Sequence, residues 1–150
     1  MSEYLHKQHN VSVLLYHIVC ACKYRRLVIS DKVDTILKDT CLEISKRYEI
    51  IFLEIGVEKE HVHFLIQSVP SYSPTKIVRT MKSITAREVF KKVPEARKQL
   101  WGGEFWGKGY FISTVGRHGD EGTIAQYVKN QCKSKEYKTL HRNQMQLNLF

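Results

Sequence analysis

Residues 11 to 22, VSVLLYHIVCAC, are apolar and β-branched at odd and even positions alike. A strand with one wet face would alternate, so this run predicts a central strand with cover on both sides. The rest of the chain must supply its neighbours. Residues 49 to 55, EIIFLEI, read as a second strand closed by Gly56, and residues 61 to 69 as a third. The short polar connection between them predicts a hairpin. YFISTV at 110 to 115 reads as a fourth strand after the Gly- and Trp-rich segment LWGGEFWGKG.

Helical periodicity fills the gaps. Ser30 is placed as an N-cap, and Val33, Ile36, Leu37, Thr40, Ile44 and Tyr48 keep one face to about residue 48. Ser73-Pro74 is a helix start, because proline at the first helical position lacks only an N–H that has no partner there. From it Ile77, Val78, Met81, Ile84, Thr85 and Val89 form an apolar stripe, with Lys76, Arg79, Arg87 and Lys91 on the opposite side. Pro94 should end this helix no later than Val93. A last helix is expected from about 123 to 136, and residues 137 to 150 form a polar, basic tail with no assigned fold.

The order β-α-β-β-α-β predicts an α+β fold of the ferredoxin-like, split βαβ kind. That arrangement is an antiparallel sheet with helices on one face, its first and third strands adjacent at the centre, here with an added C-terminal helix. One domain, 1–136, is expected, followed by the tail 137–150. At 150 residues, 43% hydrophobic and 26% charged, the chain can bury a core without staples. It has no apolar run approaching the roughly 20 residues of a membrane span, and MSEYLHKQHN lacks a signal-peptide pattern. A cytoplasmic location without membrane contact is expected. Cys20, Cys22, Cys41 and Cys132 match no paired zinc spacing and read as reduced structural thiols. Against 15 acids stand 24 Lys and Arg, a formal charge of +9, and the polyanion such a field most often meets is nucleic acid.

EKEHVHFLIQ, residues 58 to 67, holds two histidines one residue apart. On a strand they project from one face, where two imidazoles can chelate a divalent cation. An H-x-H alone reads as readily as a hydrogen-bonded core histidine beside a surface one. The last helix offers further groups. In TIAQYVKNQCK, Ile124, Tyr127, Val128 and Gln131 share one stripe, so Tyr127 and Gln131 stack one turn apart. An aromatic suits that stripe, whereas an inward amide needs a polar partner, and a histidine-bound metal would be one.

These blocks together resemble the HUH single-tyrosine transposases of the smallest bacterial and archaeal insertion sequences. The resemblance runs from YHIVCACKYRR at 16 to 26, through EKEHVHFLI and SPTKIVRTMKS, to FWGKGYFISTVG at 105 to 116 and YVKNQ at 127 to 131. Cys22 stands where the family often has proline, and Glu60 where it often has aspartate. The resemblance implies that His61, His63 and Gln131 bind Mg²⁺ or Mn²⁺, and that Tyr127 attacks a phosphate of single-stranded DNA. A 5′-phosphotyrosine would form, and DNA would be cut and rejoined. It also implies hairpins at the element's ends as the bound DNA, and a homodimer in which the Tyr127 helix completes the other subunit's site. Gly116, Gly119 and Gly122 are then a hinge for that helix, or an ordinary strand-to-helix loop.

For DNA contact the basic residues Lys23, Arg25, Arg26, Lys76, Arg79, Arg87 and Lys91 are candidates, with Tyr24 as a stacking surface. Two rival readings share parts of this pattern. An RRM-like single-stranded nucleic-acid-binding module would share topology and charge but has no use for H-x-H. A metal-dependent phosphohydrolase would use the histidines, with His17 as a possible third imidazole.

Overall fold

The computed structural model describes residues 4–23, 29–58, 60–100 and 103–116. Tyr24, Arg25, Arg26, Gly119, Gly122, Tyr127 and Gln131 lie outside the described residues, as do the expected last helix and the tail. Within them the chain runs through β1 (Leu5–His6), β2 (Val11–Ser12), β3 (Leu14–Ala21), α1 (Asp31–Arg47), β4 (Ile50–Val57), β5 (His61–Ser68), α2 (Pro74–Lys92), α3 (Pro94–Gln99) and β6 (Phe111–Thr114).

The main sheet has the order β4-β5-β3-β6, every neighbouring pair antiparallel. This is the split βαβ arrangement expected from the sequence, with the strand containing His61 and His63 beside the central strand. The apolar run at 11–22 is divided, however. Val11–Ser12 pairs with Leu5–His6 in a separate two-stranded ribbon, and only Leu14–Ala21 joins the main sheet. Leu5 and Val13 then pack on a small cluster of Leu15, Ile51, Leu53 and Leu65. The ribbon thus gives apolar cover to part of the sheet face that the helices leave.

Both long helices begin as their sequences dictate. Ser30 accepts from the Val33 amide at 3.3 Å, and Ser73 from the Lys76 amide at 3.0 Å. Asp31 and Asp34 sit in the first turn of α1 and Lys46 and Arg47 in its last, the sense that complements the helix dipole. Of the expected stripe, Ile77, Val78, Met81, Thr85 and Val89 are buried, and Ile84 is half-buried against the same core. The stripe meets Ile18, Phe52, Phe64 and Ile66 of the sheet in one large core that also contains Leu37, Cys41 and Ile44 of α1. Trp106 closes that core, its indole N–H donating to Thr85 Oγ1 at 2.9 Å. Cys20, Cys22 and Cys41 are buried free thiols, and burial pushes Cys20 and Cys22 up to about 12. That is the structural role expected from their spacing.

Two breakpoints differ from expectation. Pro94 does end α2, at Lys92, but it also starts the short helix α3, since proline is as suited to a first helical turn as it is harmful later. Gly56 does not close its strand; it lies inside β4, directly opposite His63. The cause is a β-bulge, a register shift between Phe52 and Glu54 that inserts Leu53. Before it, Ile50 and Phe52 face the helices; after it, Ile55 and Val57 do. One extra residue reverses the alternation and turns Glu54 and Gly56 to the histidine face.

Candidate metal centre and basic groove

Because β3 and β5 pair Val19 with His63 and Ala21 with His61, the odd-numbered side chains of both strands share the face away from α1 and α2. His17, His61 and His63 all project from it. His61 and His63 are neighbours along β5, their ring centroids 5.1 Å apart. Glu58, three residues before His61, turns its carboxylate back so that Oε2 lies 3.1 Å from His61 Nε2. One donor atom from each of Glu58, His61 and His63 lies within 4.8 Å of the others. A mixed set of carboxylate oxygen and imidazole nitrogen suits Mn²⁺ and, with added oxygen ligands, Mg²⁺.

The polar atoms around this cluster bear on whether a cation fits. His61 Nδ1 and His63 Nε2 are buried and have no hydrogen-bond partner. Buried polar atoms are nearly always satisfied, so these two imidazole nitrogens, on residues clustered with the Glu58 carboxylate, fit a cation. His63, only 6% exposed, is pushed down to about 4. Burial is the main cause, the neighbouring His17 and His61 add to it, and the Glu58 carboxylate opposes. His63 is therefore neutral at physiological pH, the state that can bind a metal. Burial also lowers His17, whose Nε2 stands 3.0 Å from His63 Nδ1.

Of the residues singled out from sequence, the fold brings His61 and His63 together. Gln131 and Tyr127 fall outside the described residues. Glu58 was missed, although its position three residues before an H-x-H was a usable signal once the 58–61 turn is known to fold back. Glu58 N donates to the carbonyl of His61, which closes that turn.

The second functional surface is a groove of about 640 Å³ between α2 and the segment 103–110. Arg79, Lys82 and Arg87 line one wall, and Phe90, Phe105, Trp106 and Tyr110 supply aromatic surface. Lys76 and Lys91 are exposed on α2 but do not line it, and Lys76 caps the Tyr72 ring at 4.2 Å. Lys82 is a staple as well: Nζ donates to the carbonyls of Gly107 and Gly109 at 2.7 and 2.8 Å, fixing the groove's far rim. Lys23 is held at 2.7 Å by Glu104, whose carboxyl it lowers. Gly116 is exposed, two residues past the end of β6.

A smaller recess of about 360 Å³, bounded by Val19, Ala21, His61, Tyr110 and Phe111, lies between this region and His61. Tyr110 and Phe111 are large and exposed, 42% and 54%. Sequence reading assigned them only to a strand; their exposure could not be seen without the sheet. Among the described residues, no helix is long and apolar enough to cross a membrane.

Comparison with known proteins agrees with this arrangement. The family described as "Transposase IS200 like" matches residues 10–131. The chain is 30% identical over 118 residues to the ISDra2 transposase TnpA of Deinococcus radiodurans, covering 79% of this chain and 84% of that one. It is 28% identical over 122 residues to the IS200 transposase of Salmonella typhimurium, covering 79% and 76%. A crystal structure of a candidate transposase from Deinococcus radiodurans superposes with a TM-score of 0.68 at 30% identity, over 87% of this chain and 99% of that one. A REP-associated tyrosine transposase bound to a REP hairpin shares the fold, with a TM-score of 0.57 at 11% identity over 87% and 72%. With a matched span that takes in the histidine strand and nearly the whole sheet, the chain belongs to the IS200-like transposase family, the DNA strand-transferring HUH enzymes that its motifs resemble.

Proposed function

We propose that this transposase cuts and rejoins single-stranded DNA at the ends of an insertion sequence, with Tyr127 as nucleophile and a divalent-metal site at His61 and His63. The observation that carries the reading is the Glu58, His61 and His63 cluster with its two unpartnered imidazole nitrogens, in a chain of this family. His61, His63 and Glu58 would hold Mg²⁺ or Mn²⁺, and Gln131 is proposed as a further ligand. Once bound, the cation supplies Lewis-acid stabilisation of charge on a phosphate oxygen.

The remaining chemistry belongs to the chain. A tyrosine phenol ordinarily has a pKa of about 10, so Tyr127 loses its proton as its oxygen attacks phosphorus. A tyrosine–phosphorus bond forms, the bond to the 3′ oxygen breaks, and a free 3′-hydroxyl leaves. The 5′-phosphotyrosine keeps the phosphodiester's energy. A second 3′-hydroxyl can then displace Tyr127 and restore a DNA strand without ATP.

Hairpin DNA is assigned to the basic groove, where Arg79 and Arg87 meet phosphates and Lys76 and Lys91 extend the positive field. Tyr110 and Phe111, exposed beside His61, are stacking surfaces for unpaired bases near the scissile phosphate. Lys23, Tyr24, Arg25 and Arg26 are proposed as further DNA contacts. The family match to 131 supports one catalytic domain over 1–136, with 137–150 a basic tail. The working unit is proposed as a cytoplasmic homodimer, with Gly116, Gly119 and Gly122 as the hinge that lets the Tyr127 helix complete a partner's site.

The test is incubation of the protein and Mn²⁺ with single-stranded oligonucleotides carrying candidate element ends. A covalent protein–DNA adduct on a denaturing gel is expected, lost in Tyr127→Phe while hairpin binding persists. Binding without any adduct would instead favour a non-catalytic module, and nicking by Tyr127→Phe at the parental rate would remove Tyr127 from its role.

A further inference from the structure

The contact between His17 and His63 has a geometry that the metal ligands alone do not explain. Nε2 of His17 and Nδ1 of His63 are 3.0 Å apart, and the two rings are within 13° of parallel with centroids 5.3 Å apart. That centroid separation is the N···N distance extended by one ring radius on each side. The rings therefore lie edge to edge in nearly one plane. Ring-nitrogen lone pairs and N–H bonds also lie in the ring plane, so this is the alignment of a hydrogen bond and not of a face-to-face stack.

Only one proton can sit in that bond, and it comes from one ring or the other. If His17 donates, neutral His63 carries its own proton on Nε2, leaving a buried N–H without an acceptor, since His63 Nε2 has no hydrogen-bond partner. If His63 donates, its Nε2 keeps a bare lone pair and neutral His17 carries its own proton on Nδ1. Each arrangement thus buries one ring N–H, and what separates them is the lone pair on His63. The second arrangement leaves a metal ligand and the first does not.

We infer that His17 is the positioning residue of the metal centre: its Nε2 accepts the Nδ1 proton of His63 and so holds His63 in the tautomer whose Nε2 can bind a divalent cation. This rests on the metal site proposed above. His17 does not touch the metal; it acts through His63, in the way that outer partners fix the tautomer and ring orientation of metal-binding histidines. The backbone makes the contact rigid. His17 pairs with Leu65 on the central ladder, which places it diagonally beside His63 on the same sheet face. The Phe111 ring packs edge-on against His17 at 5.8 Å and holds it from the β6 side. Both imidazoles are buried, with 2% and 6% exposure, so bulk water does not take over the role of the acceptor.

Two measurements on the full chain without DNA test this. Calorimetric titration with Mn²⁺ should give an affinity weakened about 10–100-fold in His17→Leu, which has no acceptor, and within about threefold of the parent in His17→Gln, whose side-chain oxygen can reach the same proton. Long-range ¹⁵N–¹H correlation spectra of the metal-free parent should show the His63 proton on Nδ1. The inference is overturned if His17→Leu binds Mn²⁺ like the parent, if His17→Gln is as weak as His17→Leu, which would make His17 a ligand, or if the spectra place the proton on Nε2. Should the parent itself bind no Mn²⁺, the metal site falls. The spectra then still decide the hydrogen bond between the two rings, with no need for a variant that folds.

Discussion

Gly56 stands directly across the β4–β5 ladder from His63, on the same sheet face, and offers the imidazole no side chain to meet. Directly opposed residues bring their Cβ atoms to roughly 5 Å. A branched side chain at 56 would therefore come within contact reach of the His63 side chain. Gly56→Val should keep the fold, at a cost of about 1–3 kcal/mol for overpacking, and weaken Mn²⁺ binding by about tenfold or more. Urea titration and calorimetry separate the two effects.

Glu58 is paired with His61 at 3.1 Å and also belongs to the cluster with His63. As a ligand it supplies negative charge to a divalent ion, and an amide in its place supplies none. Glu58→Gln should weaken Mn²⁺ binding by about tenfold, about 1.4 kcal/mol, with little change in thermal stability. Unchanged affinity would reduce Glu58 to a partner of His61 alone.

Acid should destabilise the metal-free protein through His63. Its pKa is 6.5 as an ordinary imidazole and about 4 in the fold. Between those values the unfolded chain holds a proton that the folded chain refuses, so stability falls as pH drops from 6.5 towards 4 and is flat with respect to this group above 6.5. The loss reaches at most roughly 3 kcal/mol. His17, also lowered by burial, acts in the same direction. Denaturant unfolding in EDTA across pH 7 to 4 should show the slope, and His63→Gln should flatten it.

Arg79 and Arg87 are exposed and line the basic groove. If each meets one phosphate, removing either should lower the slope of log affinity against log salt by about 0.9 where it meets the duplex stem of a hairpin and about 0.7 where it meets a single strand. Arg79→Ala and Arg87→Ala should weaken hairpin binding in fluorescence titration and leave Mn²⁺ affinity unchanged. A double variant with the parental salt slope would move the DNA elsewhere.

Much of the scaffold was legible in the linear chain. Ser30 and Ser73 cap the helices they were expected to cap, the stripe from Ile77 to Val89 faces the core, and His61 and His63 share a strand face, because these features depend on local periodicity and capping chemistry. Glu58 was not legible as a member of the cluster, since its approach to His61 depends on a turn and not on a repeat. Tyr110 and Phe111 looked like any strand aromatics until the sheet edge left them exposed.

What the sequence determined alone is the two long helices, the four strands of the main sheet, the positive field and the pair of imidazoles, each written in residues near one another along the chain. What only tertiary structure decided is their company. The bulge at Leu53 reverses the alternation of β4 and turns Gly56 towards His63, and antiparallel pairing across 46 positions sets His17 in line with the same ring. A one-residue change of register moves every later side chain to the other face, and nothing in residues 50 to 57 read by themselves says that it occurs.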